Sequence, residues 1–269
     1  MFPLLFEVPV FGGVRIYTYG VLVALAFLAG IFWTTREARI AKIAGVDPDT
    51  ILDLSFYIVL AALVGSRILY IFVDWQRYAS HPLDVIKIWE GGLVFYGGLI
   101  GAILMSIVYL KKHRLSFLKV ADLFMPGVAL GHAFGRLGCF AAGCCYGRVM
   151  PSGSFFSVTF PPNRFSLAPA GLPLFPSQPV ESVAEFLIFL LLILLRRKKR
   201  FEGQIFLVYI TLYGISRSIL ETFRGDSIRG FIIPNLLSTS QLISGCLILI
   251  VGVLYFRLRR RTVEGRSVP

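Results

Sequence analysis

Charge is scarce in this sequence. Only 16% of its 269 residues are Asp, Glu, Lys or Arg, where a soluble domain carries about 25%. Acidic residues are the scarcer kind, 15 against 27 basic ones, for a formal net charge of +12. Four cysteines are too few for a disulfide framework. Several catalytic signatures are missing as well. There is no H-E-x-x-H of an intramembrane metalloprotease, no G-x-S-x-G elbow and no P-loop. There is no carboxylate-rich D-x-x-D-G run of the metal-dependent phosphatidyltransferase type. The first residues carry neither a basic stretch nor an A-x-A cleavage site, so the first apolar run is expected to be retained.

What fills the chain instead is apolar: 56% of it by count, with mean hydropathy +0.76. That excess has no place in a single core. It excludes disorder, a secreted disulfide scaffold and a cytosolic enzyme. Seven runs approach the roughly 20 residues needed to cross a hydrocarbon core of about 30 Å: 16–35, 51–73, 91–110, 123–145, 179–195, 204–223 and 236–256. They are continuous, not alternating, which excludes a closed barrel. The sequence therefore predicts an all-α polytopic membrane protein, a single membrane domain over 1–269. Residues 146–178 form the longest connection, a small extracytoplasmic cap with a β-like stretch at 155–160. No internal repeat of the transporter kind is evident.

Basic residues outside the runs alternate between connections, 17 on one set of sides and 7 on the other. The positive-inside rule places the N-terminus outside and the C-terminus in the cytoplasm. The basic excess is then topology signal and attraction to anionic headgroups, and no nucleic-acid partner is implied.

Three arginines remain, and all lie inside the runs: Arg67, Arg136 and Arg217. Each costs about 2.5–3.5 kcal/mol at a bilayer centre unless it is partnered. With the predicted orientation they fall in the outer halves of the second, fourth and sixth runs. Tyr19, Tyr96 and Glu181 fall in the first turns of the first, third and fifth. Convergence at that level suits an anionic phosphate, which Arg grips bidentately while staying ionised. The alternative is a set of separate ion pairs, such as Arg217 with Glu221 four residues on.

Three segments carry the polar groups. Residues 131–147 read GHAFGRLGCFAAGCCYG; its glycines suit either close helix packing or backbone access to a ligand. Residues 91–101 read GGLVFYGGLIG, two Gly-Gly pairs around Tyr96. In 213–224, Tyr213, Arg217, Glu221 and Arg224 are spaced to share one helical stripe. Cys139, Cys144 and Cys145 match no common zinc spacing, and five positions apart on a helix is poor geometry for a disulfide. Cys246 reads as small apolar filler. His132, one turn before Arg136, either lines the same cavity or is a satisfied core histidine.

The ordered set of these segments resembles the prolipoprotein diacylglyceryl transferase family over nearly the whole chain. The resemblance is carried by Tyr17-Thr18-Tyr19-Gly20, Gly65-Ser66-Arg67, the 91–101 stretch, Gly135-Arg136-x-Gly138, Pro176-Ser177-Gln178-x-x-Glu181, and Tyr213-Gly214-x-x-Arg217-x-x-x-Glu221-x-x-Arg224. It implies transfer of a diacylglyceryl group from phosphatidylglycerol to the lipobox cysteine of a prolipoprotein signal peptide, in a bacterial inner membrane. The product is a thioether, glycerol phosphate is released, and neither metal nor soluble cofactor is implied. Arg136 and Arg217 match the family's two most important arginines. Tyr96 is a third catalytic candidate, as proton relay or as hydrogen-bond donor to the lipid. Arg136, Tyr19, Arg67, Cys139, Gly147, Glu181, Tyr213, Glu221 and Arg224 are the substrate-binding candidates. Three positions depart from the family's best-known members: Tyr96 stands for His, Cys139 for Asn and Cys144 for Glu. These leave the acceptor of the thiol proton open. A transporter or flippase for an anionic lipid or solute is the alternative function, and a non-catalytic membrane scaffold with structural ion pairs is a third reading.

Overall fold

A computed structural model describes residues 3–8, 14–43, 45–87, 91–225, 230–233 and 237–264. The described residues form eight helices: α1 Thr18–Ala41, α2 Pro48–Val73, α3 Trp75–Ser80, α4 Phe95–Lys112, α5 Phe117–Ala142, α6 Ser177–Arg196, α7 Gln204–Glu221 and α8 Thr239–Glu264. Large apolar side chains stand open along them, such as Phe32 on α1 at 71% exposed and Leu249 on α8 at 73%. Such a surface needs lipid, not water, around it. Six helices are long and apolar enough to cross a membrane, namely α1, α2, α4, α5, α6 and α8. The protein is a multi-pass membrane protein. α7, 18 residues long and carrying Arg217 and Glu221, falls outside those six. The seventh expected run began at Leu236, which lies outside the described residues.

The chain divides into two compact units, Thr34–Val120 and Met1–Trp33 with Ala121–Pro269. In the first, Asp47 caps α2 by accepting from the Thr50 backbone N–H at 2.7 Å, and Pro48 supplies a preset φ at the first position. α2 and α4 then meet backbone to backbone. A Cβ at Gly65 would strike the Gly97 carbonyl, and one at Gly101 the Ala61 carbonyl. This is the small-residue crossing expected of membrane helices. α4 begins at Phe95 and not at 91, because Gly91 and Gly92 have φ of +88° and +77°, which no α-helix accommodates.

In the second unit α5, α6 and α7 share a core of Ala129, Ile188, Phe189, Leu192, Ile205 and Tyr209. α8 adds Val251 against Phe201 and Leu207. α1 approaches α5 closely where Gly30 faces the Gly127 carbonyl. The start of α7 is capped from α5: buried Asp122 accepts from the backbone N–H of Gly203 at 2.7 Å and of Phe206 at 2.9 Å, and pairs with Lys199 at 3.0 Å. A carboxylate at a helix N-terminus is favourable both as acceptor and against the dipole.

Two helix ends differ from expectation. α5 stops at Ala142 and not at 145. Gly143 takes φ +71°, the Gly143 N–H donates to the Phe140 carbonyl at 3.2 Å, and the Cys144 N–H donates to the Cys139 carbonyl at 3.1 Å. This is a Schellman cap. α7 stops at Glu221 and not at 223, so Arg224 leaves the helical stripe and bridges Gly147 through backbone.

Between α5 and α6 the chain folds on Phe160, Ala168 and Leu174. Within the stretch expected to be β-like, only Val158–Thr159 forms a strand, antiparallel to Pro173–Leu174. Four further short strands had no expectation in the sequence. Leu4–Val8 pairs with Val14–Tyr17, and Phe231–Ile233 pairs with Leu237–Ser238.

Candidate active site

The polar side chains of α5, α6 and α7 converge inside the second unit. Arg136 on α5 places Nη2 2.8 Å from Glu181 Oε1 on α6. Arg217 on α7 places Nη2 2.6 Å from Glu221 Oε2, one turn on. Both pairs are close in distance but off the hydrogen-bond direction, so they neutralise charge without using up the guanidinium donors. The expected alternative of an Arg217–Glu221 ion pair is thus present in the fold. It is not the whole account of Arg217, because its Nη1 is buried and donates to no atom among the described residues. A buried donor of this kind costs about 1–3 kcal/mol, more when charged.

Tyr213 shares a face of α7 with Arg217. It lies one turn before Arg217 and is close enough to Arg136, Glu181 and Arg217 to feel their charges. Its ring stacks on His132 at 5.2 Å between centroids. His132 Nδ1 lies 3.2 Å from the Tyr209 hydroxyl and 3.9 Å from Glu185 Oε2. Glu185 is 1% exposed, and neither of its oxygens has a hydrogen bond among the described residues. Glu185 and Tyr209 were not singled out from the sequence. The available signal was the parallel spacing: His132 precedes Arg136 by four residues, and Glu185 follows Glu181 by four, so both pairs share helix faces.

Further along α5, Gly138 receives the ring of Tyr19, whose Cδ2 would sit 3.3 Å from a Cβ there. Gly131 packs on the Ala26 carbonyl, while Gly135, beside Arg136, faces open space. The glycines of 131–147 therefore divide between packing and access. Beyond the cap, Cys139 meets Cys144 and Cys145, with the three sulfurs within 4.8 Å of one another. All three are free thiols. The Schellman cap explains the first contact, since it folds the C″ side chain onto C3. Cys145 follows in the left-handed region at φ 58°. The objection that these residues lie too far apart along one helix does not apply, because the helix ends before Cys144. Gly147 leaves no room for a side chain: a Cβ would strike the Phe175 carbonyl. The strand through it is held on both sides, Arg148 N–H to the Phe223 carbonyl at 2.8 Å and Phe175 N–H to the Arg148 carbonyl at 2.9 Å.

Arg67 and Tyr96 belong to the other unit. Arg67 donates from Nε to the Val85 carbonyl, from Nη1 to Gly91 and Gly92, and from Nη2 to Asp84 and Lys87, at 2.6–3.2 Å. A guanidinium has five N–H donors, and each has a carbonyl here. The group also lies over the Tyr78 ring at 5.3 Å. Tyr96 is half-exposed at the start of α4, with its ring edge-on to Phe95 and its hydroxyl unbonded among the described residues.

The chain was compared with known proteins. The family model described as prolipoprotein diacylglyceryl transferase matches residues 3–257. The phosphatidylglycerol–prolipoprotein diacylglyceryl transferase of Clostridium tetani is 36% identical over 97% of this chain and 98% of its own length. Phosphatidylglycerol–prolipoprotein diacylglyceryl transferase 2 of Clostridium perfringens is 34% identical over 95% and 94%. The transferase of that name from Finegoldia magna is 34% identical over 94% and 95%.

Proposed function

The chain belongs to the prolipoprotein diacylglyceryl transferase family, and on that premise we propose that it moves a diacylglyceryl group from phosphatidylglycerol to the lipobox cysteine of a prolipoprotein signal peptide. The observation that carries this reading is the spare donor of Arg217, a buried guanidinium N–H with no acceptor among the described residues. A phosphate oxygen is the group that would complete it.

The reaction forms a carbon–sulfur bond at a glycerol carbon and breaks the carbon–oxygen bond to phosphate. The electron pair leaves with glycerol phosphate, which also receives the thiol proton. Arg136 and Arg217 hold the phosphate and stabilise the charge that grows on it. Fixed donors of this type are worth about 2.7–4 kcal/mol each in a dry site. Glu181 and Glu221 orient the two guanidiniums, and Tyr213 lies near them. Tyr19, Cys139, Gly147 and Arg224 line the side toward the residue 143–176 connection. Tyr96 hydrogen-bonds the lipid. Arg67 acts differently from the sequence expectation: its donors are committed to the carbonyls of Asp84, Val85, Lys87, Gly91 and Gly92, so it braces backbone and does not grip phosphate. The N-terminus and the 143–176 connection face outward, and the C-terminus faces the cytoplasm of a bacterial inner membrane.

The test is direct. Purified protein, phosphatidylglycerol and a lipobox peptide are combined, and the peptide is weighed by mass spectrometry. A diacylglyceryl increment on the cysteine is the expected result. No increment with protein that binds phosphatidylglycerol would sink the reading.

A further inference from the structure

The acceptor thiol must give up its proton before its sulfur can attack. A free cysteine has a pKa of about 8.5, so little thiolate exists at neutral pH. His132 and Glu185 stand in the same cluster as the arginines and are one way to take up that proton; the thiols of Cys144 and Cys145 at the end of α5 have no part in the mechanism above and offer another.

Three observations bear on that cluster. First, the donor set is built by backbone geometry. The Schellman cap sets Cys144 on Cys139, and Cys145 adopts φ 58°, a region that costs a non-glycine residue about 1–2 kcal/mol, bringing its sulfur to the same point. Second, the turn is pinned. Gln178 Nε2 donates to the Cys144 carbonyl and Ser177 Oγ to the Cys145 carbonyl, both at 2.8 Å from the start of α6. Third, positive charge is at hand: Arg136 lies three residues before Cys139 on α5, and Arg224 bridges Gly147, two residues past Cys145. Three sulfurs within 4.8 Å need only side-chain rotation to reach the separation of about 3.8 Å set by zinc–sulfur bonds of about 2.3 Å. A disulfide would use two of the three thiols and strand the third.

We propose that Cys139, Cys144 and Cys145 bind zinc as three thiolates, and that the open fourth position takes the acceptor cysteine of the prolipoprotein. The proposal rests on the transferase reading above. Three protein ligands with one open position is the arrangement of a catalytic zinc site, and a thiol that coordinates zinc gives up its proton. The bound sulfur then attacks the glycerol carbon, the carbon–oxygen bond breaks, and the proton ends on the departing glycerol phosphate. Zinc does not change oxidation state. Four thiolates around it carry a net charge of −2, which Arg136 and Arg224 offset.

The experiment uses the full chain, purified anaerobically in detergent with zinc present. Elemental analysis is expected to find one zinc per chain. Cys139→Ser, Cys144→Ser and Cys145→Ser each weaken zinc binding by more than the roughly 10–100-fold that an outer-shell change costs. Cys246→Ser, exposed on α8, keeps both zinc and transfer. Cobalt substituted for zinc gives thiolate-to-metal absorption that shifts when a lipobox peptide is added and does not shift with its Cys→Ser form. The proposal is overturned if zinc content equals that of the triple Ser variant, if the thiols are found joined as a disulfide without metal, if the cobalt spectrum ignores the peptide thiol, or if zinc-free protein transfers at the wild-type rate. The two readings fail separately. Product without metal sinks the zinc site alone. A cobalt spectrum that answers the thiol, with no diacylglyceryl product, sinks the transferase reading and leaves the metal site standing.

Discussion

Arg67 is buried and Arg217 partly buried, both on apolar helices, and the fold uses them in opposite ways. Arg67 gives its five N–H groups to five backbone carbonyls of residues 84–92. Arg217 has one carboxylate beside it and a buried N–H left over. Arg136 resembles Arg217, with Glu181 as its one charged partner among the described contacts. The difference separates two reasons for a cation in a membrane protein. A saturated guanidinium holds irregular backbone that lipid would not tolerate. An unsaturated one leaves a donor for a ligand, the role proposed for Arg217.

The comparison predicts its own tests. The largest effect belongs to Arg217→Ala and Arg136→Ala, each expected to cut transfer by about 10²–10³-fold or more while the protein still inserts and stays folded. Lys at either position is expected to restore little, because one ammonium lacks the planar fork. Half-normal turnover in either Ala variant would break the distinction. Next comes Arg67→Ala, expected to act on stability by about 3–5 kcal/mol as buried carbonyls lose their donor, seen as a melting temperature roughly 10 °C lower. A normally stable Arg67→Ala protein with no activity would return Arg67 to the ligand side. Gly97→Ala follows, at about 1–3 kcal/mol of overpacking, since its Cβ meets the Gly65 carbonyl and Leu69; the melt of the detergent-solubilised chain measures it. Tyr96→Phe is the smallest, an approximately 5-fold loss in kcat/KM for one hydrogen bond to lipid. A loss of about 100-fold would make Tyr96 the proton carrier instead.

The helices were legible because hydrophobicity over about 20 residues is a strong local signal. Their ends were legible only where φ could be read from residue type. Gly143 ends α5, but an apolar run continued through Cys145 and carried the expectation past it. Gly91 and Gly92 delayed α4 in the same way. The arginines and glutamates of α5, α6 and α7 could be nominated one by one, and the spacing of Arg217 and Glu221 gave their pair directly. The cage around Arg67 could not be read, because its acceptors are main-chain carbonyls whose positions depend on how a loop returns. The thiol cluster was hidden for a related reason: Cys139 and Cys144 meet only if the helix stops between them.

α7 raises a question of biogenesis. Its 18 residues carry an ion pair, and it is not among the helices that length and composition alone would send across a bilayer. Its first turn, however, has a docking point already made on α5, in the carboxylate of Asp122. The translocon is therefore expected to hold α7 back until α5 and α6 have left the channel. The helix that carries Arg217 and Glu221 joins by recruitment onto neighbours already in place. A cell that synthesises Asp122→Ala is expected to accumulate chains with α7 stalled outside the lipid, long before any substrate is offered to them.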